Sequence, residues 1–84
     1  MRWTVSILPQ AARQLAKLDK PIAKRVGAAI TALAENARPA GCKKLVGLDA
    51  WRLRVGDWRI IYQIRDQRLI VLVVRIGHRR EVYD

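Results

Sequence analysis

The stretch between residues 51 and 65 constrains this chain more than any other. Trp51, Leu53 and Val55 alternate with Arg52 and Arg54. Gly56-Asp57 follows, and then Trp58, Ile60, Tyr62 and Ile64 alternate with Arg59, Ile61, Gln63 and Arg65. A period of two sends successive side chains to opposite faces of a strand. Two such runs joined by two turn-forming residues predict a β-hairpin, although Asp-Gly is a commoner order than Gly-Asp. One face of that hairpin is apolar and belongs in a core. The other is largely arginine.

The rest of the chain fits around this hairpin. After a second turn at Asp66-Gln67, residues 69–76 are β-branched on both faces, which predicts a central strand covered on both sides. Residues 2–8 alternate as well, with Trp3, Val5 and Ile7 on one side, and predict an N-terminal strand. Pro9 suits the first position of a helix, where its missing N–H costs nothing. Ala12, Leu15 and Leu18, with Ala11, recur at helical spacing beyond it. Asp19 and Lys20 break that helix and Pro21 opens another. Ile22, Val26, Ile30 and Leu33 form its apolar stripe, with Lys24 and Arg25 off it. Residues 36–41, which include Pro39 and Gly41, end it. The predicted order is strand, helix, helix, then a three-strand antiparallel meander. That is an α+β, two-layer domain spanning 1–84, with a helical hairpin on one face of the sheet. Trp3, Trp51 and Trp58 share parity with apolar neighbours and are expected in the core. A chain of 84 residues supports one modest core and no deep enclosed pocket.

Charge narrows the function. Lys and Arg number 17 against 7 Asp and Glu, a net +10 with a pI near 11.1. The excess divides evenly about Cys42, +5 on each side, so it is built into the fold and is not a basic tail. A small folded domain this basic points to a polyanionic partner. One cysteine makes no intrachain disulfide, and Cys42 with the single His78 supplies no zinc site. The longest apolar run, residues 69–74, falls far short of the ~20 residues that cross a bilayer. Polar residues interrupt any signal-peptide core near the start. The expected location is the cytoplasm, with no membrane partner.

Strand parity sorts the cations. Arg52 and Arg54 share a face with Arg59, and Arg75 shares parity with Gly77. If the chain stays extended beyond Gly77, Arg79 and Tyr83 continue that parity while His78 and Arg80 point the other way. Arg52, Arg54, Arg59, Arg79 and Tyr83 would then line one surface. It has no carboxylate pair, no metal-ligand set and no Ser-His-Asp arrangement. Guanidinium forks bind phosphate bidentately and cannot act as bases. They can neutralise charge that develops on phosphorus. Such a surface suits cleavage of RNA, whose ribose 2′-OH is its own nucleophile, with Tyr83 and His78 as the groups able to exchange protons. The residues alone are equally compatible with a solvated basic face or with a nucleic-acid-binding module that does no chemistry.

Three stretches carry a resemblance to a known family. They are Lys43-Lys44-Leu45-Val46-Gly47, the run from Trp51 through Gly56-Asp57-Trp58-Arg59 to Tyr62, and Ile76-Gly77-His78-Arg79-Arg80-Glu81-Val82-Tyr83. Together they resemble the RelE family, toxins of type II toxin–antitoxin pairs in the RelE/ParE superfamily. The motifs cover the second half of the chain; the first half agrees in pattern only. The resemblance implies a toxin that enters the ribosomal A site and cuts mRNA there without a cofactor, leaving a 2′,3′-cyclic phosphate. By position it implies that Arg52 and Arg54 are the basic pair of the first meander strand and that Arg59 holds the scissile phosphate. Arg79 would stabilise the transition state or protonate the leaving 5′-oxygen, and Tyr83 would orient or deprotonate the 2′-OH. His78 and Arg80 would be accessory. Lys43 and Lys44 would meet rRNA or mRNA phosphates. The implied partners are an acidic antitoxin, the ribosome through its 16S rRNA, and mRNA. Some relatives carry lysines in place of Arg52 and Arg54. An arginine cannot take a proton there, so more of the proton work falls on Tyr83. The rival within the superfamily is a ParE-like inhibitor of DNA gyrase that cuts no RNA.

Overall fold

A computed structural model describes residues 2–80 of the chain. Five strands form one mixed sheet in the order β1-β5-β4-β3-β2. They are β1 (Thr4–Ile7), β2 (Cys42–Lys44), β3 (Trp51–Val55), β4 (Trp58–Arg65) and β5 (Ile70–His78). Two helices, α1 (Pro9–Ala16) and α2 (Lys20–Ala32), connect β1 to the rest and cover one face. β1 runs parallel to β5, and every other pairing is antiparallel. The predicted α+β, two-layer order is the observed one.

The hairpin forms as its alternation requires. Trp51 pairs with Tyr62, Leu53 with Ile60 and Val55 with Trp58, all on the helix side. Gly56 has φ +60, a left-handed value that favours glycine at the turn. A Cβ there would also sit 3.3 Å from Arg25 Nη2, which reaches the turn from α2. The core lies between helices and sheet and contains Ala11, Val26, Ile30, Leu33, Leu53, Ile60, Tyr62, Val71, Val73 and Ile76. Burying an aliphatic side chain of this size stabilises the fold by roughly 1.5–3 kcal/mol. Trp3, Trp51 and Trp58 pack against this cluster, so their rings serve the core. Tyr62 is fully buried, and its hydroxyl donates to Ala37 O at 2.9 Å, tying β4 to the segment after α2. Arg38, one residue on, grips Asp66 with both Nη atoms (3.0 and 2.9 Å) and lies over the Trp51 ring. That guanidinium holds the Asp66 carboxyl below its ordinary range.

Three details differ from the sequence-based expectation. The sheet has a further antiparallel strand, β2, beyond the predicted three-strand meander. Three residues are too few to show an alternation, and Lys43 and Lys44 hide the apolar signal of Cys42. Ala11, not Ala12, is the buried alanine of α1, and Gln14 of the same helix reaches Ile76 N–H of β5. β5 is a central strand as expected, lying between β1 and β4, but only its helix side is fully covered; Ile70, Leu72 and Val74 on the other side are half-buried.

Candidate functional site

The face of the sheet away from the helices carries the cations in two cross-strand rows. Lys43, Arg52, Ile61 and Arg75 form one row, and Arg54, Arg59 and Gly77 the next. Directly opposed residues have Cβ atoms about 4.5–5.5 Å apart, and like charges in that relation destabilise a sheet. Lys43 stands opposite Arg52 and Arg54 opposite Arg59. A face built only for stability would alternate the signs. This one gathers cations where a bound anion would relieve their repulsion.

Local packing fixes the geometry. Residues 45–50 fold back over the face, closed by Leu45 N–H on Ala50 O at 3.0 Å. Leu45 and Ala50 bury against Ile61, with Val74 beside them. Val74 faces this side by alternation with Leu72, and the β4–β5 register shift between Ile61 and Tyr62 brings Arg75 to the same side, opposite Ile61. Arg52 lies next to this apolar patch and is only 5% exposed, and Arg59 is 6% exposed. Guanidinium groups tolerate such partial burial because they are weakly hydrated. Arg59 is also aimed: its Nη1 donates to Gly56 O at 3.0 Å and to Trp58 O at 3.1 Å, holding the head at the turn end of the face. Arg54 and Arg75 are exposed. Arg65 shares the parity of Arg59 but is engaged elsewhere, with Asp49 at 3.1 Å and Gln63 at 2.8 Å.

The remaining sequence-nominated residues separate. Lys43 joins the arginine rows through β2. Lys44 has the opposite parity, and its Nζ donates to Leu48 O at 3.3 Å, stapling the 45–50 loop. His78 lies off the arginine face, its ring edge-on to Trp58 at 5.4 Å and 89°. Its Nδ1 accepts the Arg80 N–H at 3.3 Å, which places the ring proton on Nε2 while the imidazole is neutral. The ladder continues one step past His78, with Arg79 N–H donating to Asp57 O at 2.7 Å, so Arg79 keeps the parity of Arg75 and Gly77. Its Nη1 is 3.8 Å from Asp57 Oδ1. Tyr83 lies outside the described residues. Two residues were missed by sequence reasoning. Arg75 was given the right parity but no role. Arg25 was set aside as a charge off the α2 stripe, and no periodicity could have shown it reaching a turn 31 positions later. Among the described residues no cluster of His, Cys, Asp and Glu could hold a metal ion, and no helix is long and apolar enough to cross a membrane.

Comparison with known proteins gives concordant matches. A family model described as "ParE toxin of type II toxin-antitoxin system, parDE" matches residues 5–83. A putative RelE-like toxin protein from Escherichia coli is 30% identical, covering all of this chain and 93% of the relative. Among solved structures, an archaeal RelE–RelB complex from Pyrococcus horikoshii matches with TM-score 0.85 and 25% identity over 98% of this chain and 100% of that one. The toxin–antitoxin complex RelBE2 from Mycobacterium tuberculosis matches with TM-score 0.82 and 27% identity over 93% of this chain and 99% of that one.

Proposed function

This chain belongs to the ParE/RelE family of type II toxins, and from that premise we propose that its arginine face cuts mRNA. The reading is a ribosome-dependent endoribonuclease acting in the cytoplasm at the A site. The observation that carries it is the opposed pair Arg54–Arg59 beside Arg52, a concentration of cations on one sheet face. The chemistry asks little of the protein. The 2′-OH attacks the adjacent phosphorus, the bond to the 5′-oxygen breaks, and a 2′,3′-cyclic phosphate remains. Alignment and charge neutralisation supply most of the acceleration. Arg59, aimed by its carbonyl contacts, takes a non-bridging phosphate oxygen. Arg52 and Arg54 neutralise the phosphorane from the neighbouring strand. Tyr83 orients or deprotonates the 2′-OH, and the departing 5′-oxygen takes up a proton, from Arg79 or from water while Arg79 stabilises its developing charge. His78 packs on Trp58 and is left an accessory role with Arg80; Lys43 extends the cationic track toward rRNA. An acidic antitoxin is the physically matched partner for a chain of charge +10. The solved complexes of RelE with RelB support that partner.

The test is run in a translating extract with mRNA 5′ ends mapped by primer extension. Cuts at A-site codons are expected from the natural protein. Tyr83→Phe should lose cleavage while RNA binding stays within about twofold, because phosphate contacts carry the affinity. Intact mRNA together with gyrase-dependent DNA breaks would instead place the chain on the gyrase-inhibiting branch, which the family description keeps in view.

A further inference from the structure

One stretch of sheet backbone has no neighbouring strand. β1 accompanies β5 only from Ile70 to Val73, and the bond from Leu8 N–H to Val73 O (2.9 Å) is their last. Pro9 then turns the chain into α1. Residues 74–78 of β5 continue with β4 on one side and, among the described residues, no strand on the other. Two bonds fix which backbone groups face that gap. Ile76 N–H points away from β4, donating to Gln14 Oε1 at 2.7 Å. Arg79 N–H points across the ladder to Asp57 O. Alternation therefore turns the N–H and C=O of Ile76 and of His78 toward the gap. α1 thus lends a side-chain amide to Ile76 N–H in place of the strand that is missing. Beside this edge lies a hollow of about 190 Å³, lined by Gln14, Lys17, Leu18, Trp58 and Ile76.

We propose that this gap receives an extended, net-acidic segment of the partner protein as a parallel strand continuing the line of β1. It rests on the reading of the chain as a toxin held by an acidic antitoxin. In parallel register one partner residue, opposite Gly77, donates its N–H to Ile76 O and accepts His78 N–H, while Gln14 stays in place. The partner residues on either side then project toward α1. One places an apolar side chain in the hollow against Leu18 and Trp58; an acidic one meets Lys17. Strand addition draws affinity from backbone bonds and specificity from alternate side chains. Charge selects the occupant: a second copy of this chain would bring another +10 to the same edge, whereas an acidic segment lowers the repulsion.

The test uses the full chain with two probes and reads amide exchange residue by residue. The first probe is a short end-blocked peptide alternating Glu with Leu, beside the same peptide with Lys for Glu and one with a central Pro. The acidic peptide should protect His78 N–H while leaving Ile76 N–H, already held by Gln14, unchanged. Lys17→Glu should weaken that binding by about tenfold. The Lys and Pro peptides should not protect His78. The second probe is the protein encoded beside this chain's gene, co-expressed with it, which should protect His78 in the same way. Equal protection by the Pro peptide, or exchange at His78 unchanged by the acidic peptide, overturns the proposal. A tight complex with the co-expressed protein in which His78 exchanges freely overturns it too, and leaves the antitoxin reading standing. If the co-expressed protein does not bind, the antitoxin reading fails; the peptide arm then still decides whether the edge accepts a strand.

Discussion

Arg59→Ala is expected to lower mRNA cleavage by about 10²–10³-fold, the loss that follows removal of one preorganised donor from a developing oxyanion. Arg59 is singled out by three features. It stands opposite Arg54, so any phosphate between the two strands meets both. It is almost fully buried, so solvent screens it little. Its Nη1 contacts with Gly56 O and Trp58 O fix the head before substrate arrives, which removes a reorganisation cost at the moment of reaction. Arg59→Lys should fall between the two, since it restores the charge without the planar fork. Arg54→Ala removes an exposed, solvent-screened cation and should lower both cleavage and RNA binding, the cleavage rate by less than Arg59→Ala does. For each cation lost from a phosphate, the slope of log affinity against log salt for single-stranded RNA should shrink by about 0.7. Cleavage is quantified from mapped 5′ ends, binding by fluorescence anisotropy across a salt series, and folding by thermal melts of each variant. A folded Arg59→Ala protein that cuts at the natural rate would remove the arginine face from the chemistry.

The parts of this site that could be read from sequence are those that depend on period alone. Strand parity needs no tertiary information, so the shared face of Arg52, Arg54 and Arg59 followed directly from alternation about the Gly56-Asp57 turn. Gly56 itself was legible as a turn residue; that Arg25 packs against it was not, because a contact between a helix and a distant turn leaves no local pattern. β2 was illegible for a related reason. Its three residues become a strand only because β3 offers an edge, and that edge is what separates Lys43 from Lys44. The choice between Ala11 and Ala12 turned on which face of α1 meets the sheet: the two stand about 100° apart on the helix, and Leu15 and Leu18 fit a stripe with either. The burial of Arg52 and Arg59 was also hidden. Alternation assigns a side chain to a face but does not say that residues 45–50 fold back across it.

Tyr62→Phe should cost about 1–3 kcal/mol of folding stability, the penalty for a buried acceptor that loses its donor. The acceptor is Ala37 O, in a residue only 2% exposed, and the Tyr62 hydroxyl reaches it at 2.9 Å. Water has little access to replace that bond. A domain of 84 residues is stable by only about 4–13 kcal/mol, so the loss is a sizeable share. In a domain of this size each kcal/mol moves the Tm by about 4–8 °C. The same burial, reinforced by the neighbouring Cys42, pushes the Tyr62 phenol well above its ordinary value and outweighs the opposing pull of Arg38. The sign of the pH dependence follows. In the unfolded chain the phenol ionises near pH 10, while in the folded chain it keeps its proton to higher pH. The unfolded state therefore binds fewer protons in that window, and stability falls as pH rises past about 10. Below that pH the contribution is fully present. Tyr62→Phe has no such group, so the difference in Tm between the two proteins should be largest at neutral pH and should narrow as alkali is added. Thermal melts of both proteins between neutral pH and pH ~11 measure it. A gap that stays constant across the series would mean that another group carries the alkaline loss and that the phenol is held less tightly than its burial implies.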